Sequence, residues 1–358
     1  MCRKITKYIF IMSNKETSPF DGAFVSRHSE CISTNEILKI MDAYKDWHEI
    51  QADQPEVYQV SREWLPIYQQ YLTETVDAFL SNNLNYIKHA FENFFRHPIS
   101  TGLHGLHFQM TEIYMNPDRR PTVEEKNRYV ESSLLGLKTF LLTCPNVPIE
   151  KLARKPVGNP YGYKLNEFEV FPNAEYHCAF AQKINMLVRK FDRPTILEIG
   201  GGYGGLAYYC LVENPRMRIV LSDLPENAAL QAFYLKSMFP NKKIKLYGEV
   251  EIDGDFDILI TPNFALEEIS ENSVELTFNS YSLAEMSRET VNRYINIICN
   301  VTSHYFYHLN HVFWEMSSDT FPIDFDKFDL LFRNPTLWGK DPRAYQMDQH
   351  EYLYIAKD

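Results

Sequence analysis

The sequence predicts an α/β protein in which a doubly wound, mostly parallel sheet with a C-terminal antiparallel hairpin follows an α-helical N-terminal domain. Three observations lead to this prediction. Apolar residues recur at helical spacing up to about residue 145, short apolar strands alternate with helical segments after Pro194, and no helix separates the last two strands. Alternating strands and helices build parallel sheets, whereas consecutive strands without a helix between them pair antiparallel.

The length of 358 residues exceeds that of an average domain, and 45% of the residues are hydrophobic, so the chain can bury a core in each of two halves. We expect an α-helical domain over residues 1–150, a proline- and glycine-rich connection with a lead-in helix over 151–190, and an α/β domain over 191–358. The helical domain is expected to act as a lid, as a homodimer interface, or as both.

Two motifs predict where helices of the N-terminal domain begin. Ser33-x-x-Glu36 and Thr122-x-x-Glu125 each place a hydroxyl and a carboxylate at the spacing of a capping box. Apolar spacing predicts further helices over residues 64–80, 84–95 and 174–190.

The α/β half shows a regular succession of elements after residue 194. The predicted strands cover residues 195–199, 218–223, 244–247, 256–260, 274–278, 304–308, 329–332 and 351–355. The predicted helices cover residues 204–213, 225–238 and 287–301.

The loop between the first of these strands and the next helix contains five glycines. Glycine lets the backbone turn sharply and lets a ligand approach without a Cβ in the way, and ligands of open α/β sheets bind beyond the carboxyl ends of the strands. Gly200-x-Gly202-x-x-Gly205 matches the dinucleotide fingerprint, whereas Glu198-x-Gly200-x-Gly202-x-Gly204 matches the first motif of class I methyltransferases. The loop itself is therefore compatible with NAD or with S-adenosylmethionine.

The residues around the loop favour S-adenosylmethionine. Glu198 lies inside the first strand, where a carboxylate suits a cationic amino-acid cofactor better than a pyrophosphate. Asp223 ends the second strand, where it can accept hydrogen bonds from both ribose hydroxyls. Leu224 and Asn279, which follows the strand over residues 274–278, complete the predicted cofactor-binding set. An NAD-dependent oxidoreductase on the same loop and a non-catalytic cofactor-binding module are the alternatives.

Three segments together resemble the sugar O-methyltransferase family: residues 196–205, residues 221–225 (Leu-Ser-Asp-Leu-Pro) and residues 278–286 (Phe-Asn-Ser-Tyr-Ser-Leu-Ala-Glu-Met). The resemblance extends over roughly residues 155–358. It implies a Rossmann-like domain, S-adenosyl-L-methionine as the cofactor, and a sugar or nucleotide-sugar hydroxyl in surface-glycan (polysaccharide) biosynthesis as the acceptor.

A hydroxyl is a poor nucleophile, so its methylation calls for a general base beyond the ends of the strands over residues 274–278 and 304–308. Tyr281 and Glu285 follow the first of these two strands, and His308 and His311 lie at the end of the second. Tyr281 stands where plant-type O-methyltransferases, by resemblance, carry their catalytic histidine. A histidine suits proton transfer near neutral pH. These four residues are the predicted catalytic candidates.

Composition argues against several function classes. The formal net charge of −11 disfavours a nucleic-acid partner, and no window has the length and apolar character of a membrane span. The six cysteines are scattered without a C-x-x-C pair, which favours a reduced, cytoplasmic protein without a zinc site. The pair His104-x-x-His107 lacks a neighbouring carboxylate pattern, so we expect no metal there either.

Overall fold

The computed structural model describes residues 20–60, 62–103, 122–165, 167–252, 254–312, 316–338 and 348–357. His104 and His107 lie outside the described residues. None of the helices within those ranges combines the length and the apolar character needed to span a bilayer.

Both predicted capping motifs start helices. The Ser33 hydroxyl accepts a hydrogen bond from the Glu36 backbone N–H at 3.4 Å. The second motif is reciprocal, because Thr122 accepts from the Glu125 N–H and the Glu125 carboxylate accepts from the Thr122 N–H. The helices of the N-terminal half are α1 (Thr34–Ala52), α2 (Trp64–Ile67), α3 (Thr73–Leu80), α4 (Leu84–Glu92) and α5 (Val123–Thr143).

The helix predicted over residues 64–80 contains a π-helical turn, Tyr68–Leu72, between α2 and α3. The wider turn leaves carbonyl groups without their usual α-helical donors. The Thr73 hydroxyl compensates, since it lies 3.2 Å from both the Tyr68 and the Gln69 carbonyl oxygens. Hydrophobic spacing alone does not distinguish such a turn from a regular helix.

The α/β half forms one eight-stranded sheet with the strand order β5-β6-β4-β3-β7-β8-β10-β9. In this order, neighbouring strands are parallel from β5 at the edge as far as β8. Strand β10 pairs antiparallel with both β8 and β9. The predicted mostly parallel sheet and terminal hairpin are therefore observed. The strands are β3 (Thr195–Ile199), β4 (Arg218–Asp223), β5 (Ile244–Leu246), β6 (Ile258–Pro262), β7 (Val274–Ser280), β8 (Thr302–His311), β9 (Phe328–Pro335) and β10 (Gln349–Ala356).

Helices cover both faces of the sheet, as the alternation of the sequence predicts. They are α6 (Ala174–Val188), α7 (Gly205–Glu213), α8 (Pro225–Met238) and α9 (Arg288–Val301). The short strand β5 lies at the sheet edge, and β6 takes the place beside β4.

The connection contains an antiparallel hairpin that the sequence did not predict. Its strands, β1 (Tyr163–Leu165) and β2 (Phe168–Val170), are three residues each. Strands of this length are too short to produce a recognisable apolar alternation, so only the turn-forming residues of the segment were visible in the sequence.

The helical half packs directly on the α/β half. Phe91 of α4 stacks on Phe233 of α8 at a ring-centroid distance of 4.7 Å. The Trp47 indole N–H donates to the Tyr247 carbonyl just after β5, and the Gln51 amide nitrogen lies 3.3 Å from the Asn263 side-chain oxygen just after β6. Helix α1 therefore lies over the carboxyl ends of β5 and β6.

Candidate functional site

The glycine loop makes a sharp turn from β3 into α7. Gly200 and Gly202 have φ angles of +73° and +58°, in the left-handed region that glycine adopts most readily. A Cβ on Gly200 would lie 2.2 Å from the Ser282 hydroxyl, so the turn has no space for a side chain there. At Gly202 the nearest atom would be the Leu103 carbonyl oxygen, at 3.5 Å. The helical half thus reaches the glycine loop at Leu103.

Asp223 holds this loop in place. Its Oδ2 accepts from the Gly202 N–H at 3.0 Å and from the Gln231 amide at 3.3 Å, and its Oδ1 accepts from the Leu224 N–H and the Asn227 amide at 2.8 Å. Burial raises the pKa of Asp223 to about 6, against the effect of these hydrogen bonds. Four donors occupy the carboxylate, so its first role is to fix the turn.

Glu198 lies beneath the same turn and is only 6% exposed. Its carboxyl carbon lies 3.2 Å from the position that a Cβ on Gly201 would take. Burial, reinforced by the negative charge of Asp223, raises the pKa of Glu198 to about 8. Among the described residues, no group donates a hydrogen bond to this carboxylate. A buried acid without a partner is costly in a folded protein, and a cation at the loop would offset that cost.

The other two predicted cofactor residues differ in their surroundings. Asn279, at the end of β7, is completely buried. Its amide nitrogen donates to the Ile199 carbonyl and the Ser282 hydroxyl, and its oxygen accepts from Asn310 at 2.8 Å. Asn279 therefore joins the strand ends below the loop. Leu224 is partly exposed at the start of α8.

Tyr281 follows β7 in an unusual backbone conformation, with φ +66° and ψ −42°. Such angles are rare for a residue other than glycine and are often found at functional sites. Its N–H donates to the Leu309 carbonyl at 2.7 Å, and its hydroxyl donates to the Gln349 side chain at 3.1 Å. The ring of Tyr281 lies 5.7 Å from that of His311.

The structure separates the two candidate histidines onto opposite faces of the sheet. His308 pairs in register with Asn279, whereas Glu198 pairs with Phe278, so His308 and Glu198 face opposite sides. His308 is completely buried and stacks on Tyr352 at 4.6 Å. Burial lowers its pKa to about 3. His308 is thus a neutral residue of the core, and the structure does not bring it to the predicted acceptor side.

His311, three residues later, shares the face of Glu198. It ends β8 and is 5% exposed. Its Nδ1 lies 3.6 Å from the Asp348 carboxylate, which immediately precedes β10. A carboxylate beside one ring nitrogen favours one orientation of a histidine ring. This pair is the arrangement in the described chain that best suits a general base.

Glu285 contacts the helical half instead of an open cleft. Its carboxylate accepts a hydrogen bond from the Trp64 indole N–H at 3.0 Å. The residue ends a short 3-10 turn, Ser282–Glu285. The neighbouring Met286 carbonyl accepts from the Arg62 guanidinium at 3.0 Å.

Several residues of the site were not among the predicted site residues. The side chain of Tyr203, inside the glycine loop, accepts a hydrogen bond from Arg154 at 3.0 Å and lies 5.2 Å from the Phe95 ring. His177 lies against Gly205, where a Cβ would come within 2.3 Å of its ring, and burial lowers its pKa to about 3. Arg154 and His177 come from the connection and α6, and no local pattern links them to the loop.

A second group of missed residues borders Tyr281. Tyr176 of α6 stacks on Tyr281 at 6.5 Å and meets Trp338 edge-on at 5.8 Å. The Trp338 indole N–H and the Tyr176 hydroxyl are buried without a hydrogen-bond partner in the described part of the chain. Burial raises the pKa of Tyr176, and the negative charges of Glu351 and Glu198 add to that rise.

Comparison with known proteins finds no matching family model and no matching curated protein. Similar solved structures include the N-methyltransferase NodS from Bradyrhizobium japonicum WM9, in complex with S-adenosyl-L-homocysteine; identity is 11%, over 51% of this chain and 87% of that chain, with a TM-score of 0.35. The magnesium protoporphyrin IX methyltransferase ChlM from Synechocystis PCC 6803, with bound S-adenosylmethionine, has the same identity and TM-score over 51% of this chain and 81% of that chain. TrmN from Thermus thermophilus is 12% identical over 50% of this chain and 49% of that chain, with a TM-score of 0.35. Identities and TM-scores this low do not identify the function of this chain.

The raised pKa of Glu198 makes the stability of the ligand-free chain depend on pH. Its pKa is about 8 in the folded chain against an ordinary value of 4.5, so the folded state loses stability as pH rises between these values. We expect Glu198→Gln to have a higher Tm than the wild type at pH 9 and a similar Tm at pH 5, measured by thermal unfolding. Glu271→Gln, on an exposed turn, is the control. An equal Tm difference at both pH values would contradict the burial of an unpaired acid.

Proposed function

We propose that this chain is an S-adenosylmethionine-dependent methyltransferase that acts on a hydroxyl of a small polar acceptor, a sugar or nucleotide sugar. The observation that carries the proposal is Glu198, a buried carboxylate beneath a glycine turn that accepts no hydrogen bond from the residues that the structure describes. The α-ammonium group of S-adenosylmethionine is positively charged and would pair with this carboxylate. The pyrophosphate of NAD would offer Glu198 no cation and would add negative charge beside Asp223, so the dinucleotide alternative is disfavoured.

The glycine turn and Asp223 are compatible with the same cofactor. Because Gly202 has no side chain, a ligand can lie against the backbone there. The Asp223 carboxylate already accepts four hydrogen bonds, of which that from Gln231, at 3.3 Å, is the longest. Gln231 also donates to the Gly202 carbonyl at 3.0 Å. Asp223 Oδ2 is therefore open to a ribose hydroxyl only if Gln231 is displaced.

S-adenosylmethionine, when bound, supplies a methyl group that is electrophilic because it is attached to a sulfonium. The chain has to place an acceptor oxygen in line with that methyl group and remove the hydroxyl proton. Of the four predicted catalytic candidates, Glu285 is bonded to Trp64 and His308 faces the other side of the sheet. We assign the proton-accepting role to His311, whose Nδ1 lies 3.6 Å from the Asp348 carboxylate.

The acceptor class has two supports. The resemblance of the loop and strand-end motifs to sugar O-methyltransferases suggests a sugar hydroxyl. The rings of Tyr176, Tyr281 and Trp338 lie together beside His311, and aromatic faces commonly pack against sugar rings, while the buried Trp338 N–H would be a donor for an acceptor oxygen. A homodimer through the helical half and a cytoplasmic location stay predictions of the sequence.

Binding of the cofactor is expected to release protons. At pH 7 most Glu198 carboxyls are protonated in the ligand-free chain, because their pKa is about 8. A cation beside Glu198 lowers this pKa, so S-adenosylhomocysteine, which keeps the amino-acid cation, should displace about one proton per molecule bound. Calorimetric titration in two buffers of different ionisation enthalpy measures this number. In Glu198→Gln the affinity should fall about tenfold or more and proton release should disappear. Tight binding with no proton release in the wild type would contradict the role of Glu198.

Removal of the base should reduce turnover without weakening cofactor binding. We expect His311→Asn to lower kcat by about 10²-fold to 10⁴-fold and to leave the Kd for S-adenosylhomocysteine within about twofold. The assay measures radiolabelled methyl transfer from S-adenosylmethionine to a panel of nucleotide sugars. Asp348→Asn should show a smaller loss and a shifted pH profile. His308→Gln is the matched control: its Tm should fall and its kcat should persist. Equal losses in the two histidine variants would argue against His311 as the base.

A further inference from the structure

A second buried carboxylate lies beside the predicted ribose position. Glu226 occupies the first turn of α8, three residues after Asp223, and is 2% exposed. Its Oε1 accepts a hydrogen bond from the Tyr44 hydroxyl at 2.9 Å. Its Oε2 is buried and has no hydrogen-bond partner within the described ranges. Buried carboxylate oxygens nearly always have a donor, so this oxygen indicates a missing one.

The groups around Glu226 come from the helical half. Tyr44 and His48 lie on α1, and Tyr68 belongs to the π-helical turn. Burial raises the pKa of both Tyr68 and Glu226. The charge of Glu226 adds to the rise at Tyr68, the Tyr68 side chain opposes the rise at Glu226, and the charge of Glu226 adds to the effect of burial on the pKa of Asp223. Glu226 therefore lies between the helical half and the carboxylate that holds the glycine loop. π-Helical turns occur frequently at functional sites, and Tyr68 of this turn interacts with Glu226.

The position in the sheet is the one where a nucleoside would lie. Ligands of open α/β sheets bind beyond the carboxyl ends of the strands, next to the first strand of the fold. Glu226 follows the end of β4, and Asn263 follows the end of the neighbouring strand β6. Asn263 contacts Gln51 of α1, so Asn263, like Glu226, lies at the border between the two halves.

We infer that Glu226 Oε2 accepts a hydrogen bond from a ribose hydroxyl of the nucleoside part of the cofactor. Asp223, saturated by four donors, then fixes the glycine loop, and Glu226 supplies the open acceptor that Asp223 lacks. Tyr44 positions the carboxylate by holding Oε1. The inference rests on the proposed function, since it presupposes a cofactor with a ribose.

A ribose hydroxyl suits this position better than a second cation does. The N-terminus of α8 carries a partial positive charge that stabilises an ionised carboxylate in its first turn. The Glu226 carboxylate can therefore accept a hydrogen bond from a neutral donor without a counter-ion. Glu198 lacks any such support, which is why a cation is expected at Glu198 and a hydroxyl at Glu226.

Calorimetric titration with two ligands tests this inference: S-adenosylhomocysteine and the same compound with a 2′,3′-dideoxyribose. A hydrogen bond to a charged group is worth about 1.5–3 kcal/mol, so the wild type should bind the ribose form about 10-fold to 100-fold more tightly. Glu226→Leu should bind both ligands with Kd values within about threefold of each other. Its affinity for the dideoxy ligand should stay near that of the wild type.

Two further variants separate recognition from a general weakening of α8. Leu230→Ala removes another buried side chain of this helix and should keep the wild-type preference for ribose. Glu226→Gln retains an acceptor oxygen and should keep part of it, which also covers a Leu variant that fails to fold. An unchanged preference in Glu226→Leu, or in Glu226→Gln if only that variant folds, overturns the inference while the proposed function stands. No binding of S-adenosylhomocysteine by the wild type overturns both.

Discussion

The structure depends most on two carboxylates that share the space beneath one glycine turn. Asp223 accepts hydrogen bonds from the turn and from α8, and so fixes the conformation of the loop. Glu198, on the adjacent strand, is buried and accepts no hydrogen bond within the described part of the chain. Two acids so close together disfavour each other's ionisation. The site therefore favours a positively charged ligand at Glu198, and this preference distinguishes a sulfonium amino acid from a dinucleotide.

The helical half contributes to the site at three separate places. Leu103 lies over Gly202 of the glycine loop, Trp64 donates to Glu285 after β7, and Tyr44 donates to Glu226 at the start of α8. These contacts run along the carboxyl ends of the parallel strands. The helical half is thus part of the wall around the glycine loop. Its helices also bury aromatic side chains against α8, as in the stack of Phe91 on Phe233.

The glycine loop, the strands that flank it and the helix starts could be predicted because each depends on residues close together in the chain. Ser33 and Thr122 show this for the caps. The role of the histidines could not be predicted in the same way. Alternation along β8 puts His308 and His311 on opposite faces, but only the pairing of β8 with β7 shows which face carries Glu198. Asp348 and Glu226 contact partners that are far away in the sequence, His311 and Tyr44, so no residue spacing indicates these contacts.

The central claim is that Glu198 and the glycine turn hold a cationic nucleoside cofactor. The most direct measurement is equilibrium binding of S-adenosylhomocysteine and NADH to the full chain at pH 7, followed by calorimetry. The charge of the site predicts saturable binding of S-adenosylhomocysteine and no measurable binding of NADH. Binding of NADH alone would contradict the account, because a pyrophosphate supplies no cation for Glu198 and would lie beside Asp223.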